Sequence, residues 1–108
     1  GPLPKKIKYF KHLEELNLGL TYLKKIHPNL YKLKKLRKLD LAGNFFNEIP
    51  KGISNLKNLE ELNISLYLGE LPKDIVQLKK LTSLNLNFLD GFTLEQKEWF
   101  DNLKKYNQ

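Results

Sequence analysis

The stretch LRKLDLAGNFFNEIPKGISNLKNL, Leu36 to Leu59, decides the fold. Around Leu39 and Leu41 apolar residues alternate with polar ones, the period of a half-buried strand. The chain then turns at Gly43-Asn44 and passes Ile49-Pro50. Beyond the turn, Ile49, Ile53, Leu56 and Leu59 recur at spacings of four, three and three. That is the period of one side of a short helix or 3₁₀ turn. At Leu59 the alternation begins again.

Outward from this stretch the same unit recurs. Strand-opening leucines fall at Leu13, Leu36, Leu59 and Leu81, at intervals of 23, 23 and 22 residues. Each opens one phrase (LEELNL, LRKLDL, LEELNI, LTSLNL), and each is preceded by another (LPKKIKYFKH, IHPNLYKLKK, IPKGISNLKN, LPKDIVQLKK). In LEELNLG the period turns Leu16 and Leu18 inward and Glu15, Asn17 and Gly19 outward. One strand and one helical turn cannot bury their own apolar faces. Stacked copies can, which yields a solenoid with a parallel sheet along one side.

The phrase LxxLxLxxN followed by LPxxIxxLxx resembles the leucine-rich repeat family, in its 23-residue, Leu-Pro-containing class, from Leu3 to about Phe88. The resemblance implies an α/β fold: a short curved solenoid with a parallel β-sheet on its concave face and 3₁₀ or short helical turns on its convex face. It also implies that the concave sheet binds protein partners. On this reading residues 3–92 form the solenoid, with a partial first repeat and strands near 14–19, 37–42, 60–65 and 82–87. Residues 93–108 form a C-terminal cap helix. Its start carries a capping box, Thr93-Leu-Glu-Gln96, and Trp99, Phe100, Leu103 and Tyr106 share one face of it.

Some positions depart from the pattern. The turn position holds Thr21, Asn44, Tyr67 and Leu89, and only Asn44 matches the asparagine that hydrogen-bonds adjacent coils in the family. Thr21 is a partial substitute; Tyr67 and Leu89 cannot cap those backbone groups, so their loops are expected to satisfy them otherwise. The third repeat lacks one residue between Tyr67 and Pro72, where the loop path is expected to change. At the other end, Gly1-Pro2 reads as the scar of a cleaved tag, which leaves open an upstream extension. The solenoid begins abruptly, with Ile7 and Phe10 at an uncapped edge open to self-association unless something covers them.

Composition narrows the chemistry. The chain has no cysteine, which removes disulfides, thiolate metal sites and cysteine nucleophiles. No apolar run is long enough to span a membrane. The net charge is +7, yet Arg37 is the only arginine, which argues against dedicated nucleic-acid recognition. His12 and His27 occupy non-equivalent positions and read as solvated surface histidines. In the pairs Glu14-Glu15 and Glu60-Glu61 adjacent side chains point to different sides, and no metal-ligand spacing or phosphate loop is present. The expectation is a non-enzymatic chain with no cofactor.

Two surfaces remain as candidates for binding. On the concave sheet Glu15, Lys38, Glu61 and Ser83 form one row, beside the ladder Asn17, Asp40, Asn63 and Asn85. Just past the strands, Tyr22, Phe45, Tyr67 and Phe88 form an apolar rim, unless they fold inward to fill the gaps left by missing turn asparagines. Most of the lysines fall in the return phrases and cover the convex back, leaving the front mildly acidic. The expected function is protein binding through the concave sheet and its rim. The alternatives are an anionic polymer or membrane surface bound by the lysine-rich back, and a structural segment of a longer repeat array.

Overall fold

The computed structural model describes residues 10–46, 48–49, 51–65, 70–86 and 92–106. Four short strands, β1 (Glu15–Asn17), β2 (Lys38–Asp40), β3 (Glu61–Asn63) and β4 (Ser83–Asn85), form one parallel sheet in chain order. Between successive strands the chain returns through 3₁₀ turns at Pro28–Lys32, Lys51–Asn55 and Lys73–Gln77, and it ends in helix α1 (Leu94–Tyr106).

The spacing of three in the return phrases becomes a literal hydrogen-bond ladder. Leu30 N–H donates to His27 O, Leu33 to Leu30 and Leu36 to Leu33, and Ile75, Leu78 and Leu81 repeat the series. Every third residue therefore swings to the same side. Leu30, Leu33, Leu36, Ile53, Leu56, Leu59, Ile75 and Leu78 are fully buried. His27 is not merely a solvated side chain: its Nδ1 accepts from Asn29 N–H at 3.1 Å and caps the first turn.

The strand leucines meet this stack from the other side. Leu39 and Leu62, on the inner strands, are 2% and 1% exposed. Leu16 and Leu84, on the outer strands, are only half-buried. Inter-coil bonding runs past the strands proper: Leu18 N–H donates to Asp40 O, Leu20 to Ala42, Leu41 to Asn63 and Ile64 to Asn85. Where the strands begin, a single carbonyl serves two donors. Glu14 O accepts from the N–H groups of Arg37 and Lys38, and Arg37 O from those of Glu60 and Glu61.

Asn44 joins the first two coils. Its Nδ2 donates to the carbonyls of Leu18 (2.8 Å) and Leu41 (3.1 Å), while its Oδ1 accepts from the N–H groups of Thr21 (3.1 Å) and Leu23 (2.9 Å). Thr21 Oγ1 donates to Leu18 O at 2.7 Å and also lies 3.2 Å from Asn44 Oδ1. Tyr67, Leu89 and the shortened loop before Pro72 lie outside the described residues, apart from Glu70 and Leu71. Ile7 lies outside them too, while Phe10 is 57% exposed at the β1 end.

At the far end, Thr93 and Gln96 form the reciprocal capping box: Gln96 N–H donates to Thr93 Oγ1 (3.1 Å) and Thr93 N–H to Gln96 Oε1 (3.0 Å). Gln96 Nε2 then donates to Pro72 O at 3.1 Å, tying the helix start to the preceding coil. Leu103 is buried, Trp99 and Phe100 half-buried, and Phe92 meets Phe100 edge-on at 5.9 Å. The described side chains do not include that of Tyr106.

Candidate partner-binding face

The sheet register turns the repeat phrase into columns. Glu15 pairs with Lys38, Lys38 with Glu61 and Glu61 with Ser83, and Asn17, Asp40, Asn63 and Asn85 align in the same way. These eight residues line an open depression of about 410 Å³ on the concave side, floored by Leu16, Leu39 and Leu62.

Each column does different work. In the first, Lys38 Nζ stands 3.9 Å from Glu15 Oε1 and 3.2 Å from Glu61 Oε2. A second charged column, not expected as a site, runs beside it: Arg37 Nη1 lies 3.2 Å from Glu14 Oε1 and Arg37 Nε 2.8 Å from Glu60 Oε2. The Glu60 hydrogen bond, then that of Glu14, holds the Arg37 guanidinium even more firmly protonated than usual. The Arg37 bond likewise holds the Glu60 carboxyl below its ordinary value, with Lys80 and Lys38 adding to the effect. The signal for this column was already in the text of the repeats, LEEL, LRKL, LEEL, where both polar positions change sign together.

The Asn/Asp ladder is largely occupied with ending strands. Asn17 Oδ1 accepts from Gly19 N–H at 2.8 Å, Asp40 Oδ1 from Ala42 at 2.9 Å and Asn63 Oδ1 from Ser65 at 3.0 Å. Such Asx turns suit residues that are poor strand formers.

Two of the four rim aromatics are described, and both stand in solvent. Tyr22 is 71% and Phe45 58% exposed, and their rings stack at 5.8 Å with an interplanar angle of 22°. Tyr67 and Phe88 lie outside the described residues. Beside the pair, Leu20 is 72% exposed, and Leu20 and Tyr22 both hold left-handed backbone, φ +56° and +61°. In the second coil the position equivalent to Leu20 is Gly43, which takes φ +71° without penalty. A Cβ there would overlap Leu20 Cδ2, so the leucine rests directly on the glycine. A non-glycine residue in this conformation costs about 1–2 kcal/mol.

The convex lysines are partly engaged with neighbouring coils. Lys57 Nζ donates to Gln77 Oε1 (2.8 Å), Lys80 Nζ to Asn58 Oδ1 (2.7 Å), and Lys35 Nζ lies 3.2 Å from His12 Nδ1. Among the described residues no helix is long and apolar enough to cross a membrane.

Comparison with known proteins agrees with this architecture. Residues 11–66 match the family model described as leucine rich repeat. The chain is 38% identical over 64 residues to the human leucine-rich repeat protein 1, covering 59% of this chain and 15% of that protein. It is 39% identical over 54 residues to a receptor protein-tyrosine kinase of Arabidopsis thaliana, covering 49% of this chain and 6% of the kinase. It thus spans a small part of each relative's length. In structure it is similar to an internalin of Listeria monocytogenes, with a TM-score of 0.70 and 19% identity over 79% of this chain and 25% of the internalin. Repeat phrase, parallel sheet, 3₁₀ returns and family match all agree: the chain belongs to the leucine-rich repeat family, whose solenoids act broadly as protein-interaction modules.

Proposed function

We propose that this chain is a non-catalytic module that binds a protein partner across its concave sheet, with affinity centred on the rim at Tyr22 and Phe45. The observation that carries this reading is the exposed stack of those two rings beside Leu20. Large apolar side chains held in solvent on costly left-handed backbone are what a functional constraint leaves behind. Buried aromatic anchors supply most of the binding energy in protein interfaces, whereas exposed charges supply orientation. The concave carboxylates face Arg37 and Lys38 rather than a nucleophile, which supports binding over catalysis. Lysines of the back that already bond to the next coil speak for a structural share in that surface.

The test is affinity capture from cells that express the natural protein, run with three versions of this chain. Partners retained by the wild type should be lost with Tyr22→Ala/Phe45→Ala and kept with Lys32→Ala, an exposed change on the convex turn. Circular dichroism should show both variants folded. Equal loss from the Lys32 change would move the site to the back. Retention by the double variant would remove the aromatic anchors.

A further inference from the structure

We propose that the partner segment is positively charged and seats a lysine or arginine side chain between Glu61 and Ser83, at the β3–β4 step of the concave sheet. This rests on the concave-face reading above and names the chemistry of its occupant.

The argument begins with an alternation that stops early. Along the sheet the columns read Glu14, Arg37, Glu60, Thr82 and Glu15, Lys38, Glu61, Ser83. Each cation sits between two carboxylates, so each column carries one surplus negative charge. Among the residues that line the depression, Glu15, Asp40 and Glu61 stand against Lys38 alone, a net of −2, on a chain whose total is +7. The next member of the series after Glu60 and Glu61 would be a cation, and the fourth coil places two short hydroxyl side chains there instead.

The two columns differ at this step. Glu60 has Lys80 nearby as well as Arg37. For Glu61 the only ion pair among the described residues is with Lys38, on the β2 side. On the β4 side its register partner is Ser83, whose hydroxyl is a ready acceptor. Asn63 and Asn85 flank the position and belong to the same depression. Adjacent strands lie about 4.8 Å apart, so an ammonium or guanidinium above Ser83 reaches Glu61 Oε atoms and Ser83 Oγ together. Such a contact in partly open surroundings fixes orientation and speeds encounter more than it adds affinity.

The test uses a nine-residue peptide carrying two arginines and one phenylalanine, and its counterpart with citrulline, arginine's neutral isostere, in both places. Each is titrated into the ¹⁵N-labelled chain up to millimolar concentration. The arginine peptide should shift the amides of Glu61, Ser83 and Asn85, weaken as salt rises, and bind at least about fivefold more tightly than the citrulline peptide, roughly the size of a rim charge contact. Ser83→Lys supplies the missing cation from within and should abolish that preference, while Ser83→Gln should leave it within about twofold, since it adds bulk without charge. Equal binding of the two peptides, an unaltered preference in Ser83→Lys, shifts confined to the convex turns, or no shift at all would each overturn the proposal. If Tyr22→Ala weakens both peptides while Ser83→Lys changes neither, the rim reading stands and the cation seat falls. Sedimentation that shows a wild-type dimer dispersed by Ser83→Lys would assign the seat to a lysine of a second copy and overturn the foreign partner.

Discussion

Truncating Asn44 to alanine tests whether one side-chain amide holds the first two coils together. Five hydrogen bonds end on that amide. The two from Thr21 lie in exposed surroundings, where water can replace the lost acceptor at little cost. The other three are part-buried: Leu23 N–H into Oδ1, and Nδ2 to the carbonyls of Leu18 and Leu41. At about 1 kcal/mol for each backbone group left without its partner, the loss comes to about 3 kcal/mol. That is a large share of the roughly 5–15 kcal/mol that stabilises a typical domain. Asn44→Asp separates the two halves of the amide. It keeps the acceptor but puts a second oxygen where Nδ2 faced two carbonyls, so it should be no better than alanine. The assay is guanidinium unfolding read by far-ultraviolet circular dichroism and by Trp99 fluorescence. Trp99 is the single tryptophan and packs at the far end, its Nε1 3.5 Å from Leu78 O. Because coils support only their neighbours, the dichroism midpoint should fall further than the fluorescence midpoint. A loss below about 1 kcal/mol, or an aspartate milder than alanine, would refute the reasoning.

Other changes test separate parts of the molecule. Tyr31 buries its hydroxyl with no hydrogen-bond partner among the described residues, so Tyr31→Phe should stabilise by about 1 kcal/mol in denaturant titrations. Burial also pushes the Tyr31 hydroxyl from 10.0 up to about 12. The unfolded chain releases this proton first, so the group leaves stability unchanged with pH below 10 and erodes it as pH rises from there towards about 12; Tyr31→Phe should lack that loss. For Glu60 the sign is opposite. Its folded carboxyl is held below the usual 4.5, so the Arg37 pair contributes fully above that pH and its contribution drains away as pH falls through the folded value. Glu60→Gln should flatten that acid limb, and added salt should do the same in the wild type. Gln96→Ala removes half of the capping box and the link to Pro72 O, for about 1–2 kcal/mol. Here the fluorescence midpoint should move more than the dichroism midpoint. Leu39→Ala, at a side chain 2% exposed, should lose about 2–5 kcal/mol in the same titration.

The columns of the concave face are legible in the sequence, because a 23-residue interval in a parallel stack puts equal positions side by side. Even the 22-residue last interval kept Glu61 opposite Ser83, since the missing residue falls in the loop before Pro72 rather than in a strand. The capping box was equally plain, being local in sequence. Strand length was not. Alternation persists from Glu15 to Gly19, but the Asx turn at Asn17 bends the chain out of regular strand after three residues. Nor did any pattern announce that Tyr31 lies on Gly52, where a Cβ would come within 2.6 Å of the ring. That contact joins two different coils at positions that no repeat phrase pairs. The left-handed backbone at Leu20 and Tyr22 was hidden for a similar reason: Gly43 marks the conformation in the second coil, while leucine disguises it in the first.

The charges shared by the coils bear also on how the chain finds its order. The first and third coils carry the same five letters, LEELN, at residues 13–17 and 59–63. Their leucines and backbones would let one stack on the other with the middle coil looped out, a trap open to any chain of near-identical units. In that arrangement Glu14 would meet Glu60 and Glu15 would meet Glu61, and like charges directly opposite across a sheet repel. Only when the second coil is in place does every one of those carboxylates find Arg37 or Lys38 beside it. The sign change between coils thus penalises skipping a repeat, and folding in sequence order is favoured by charges that would contribute little to the finished structure.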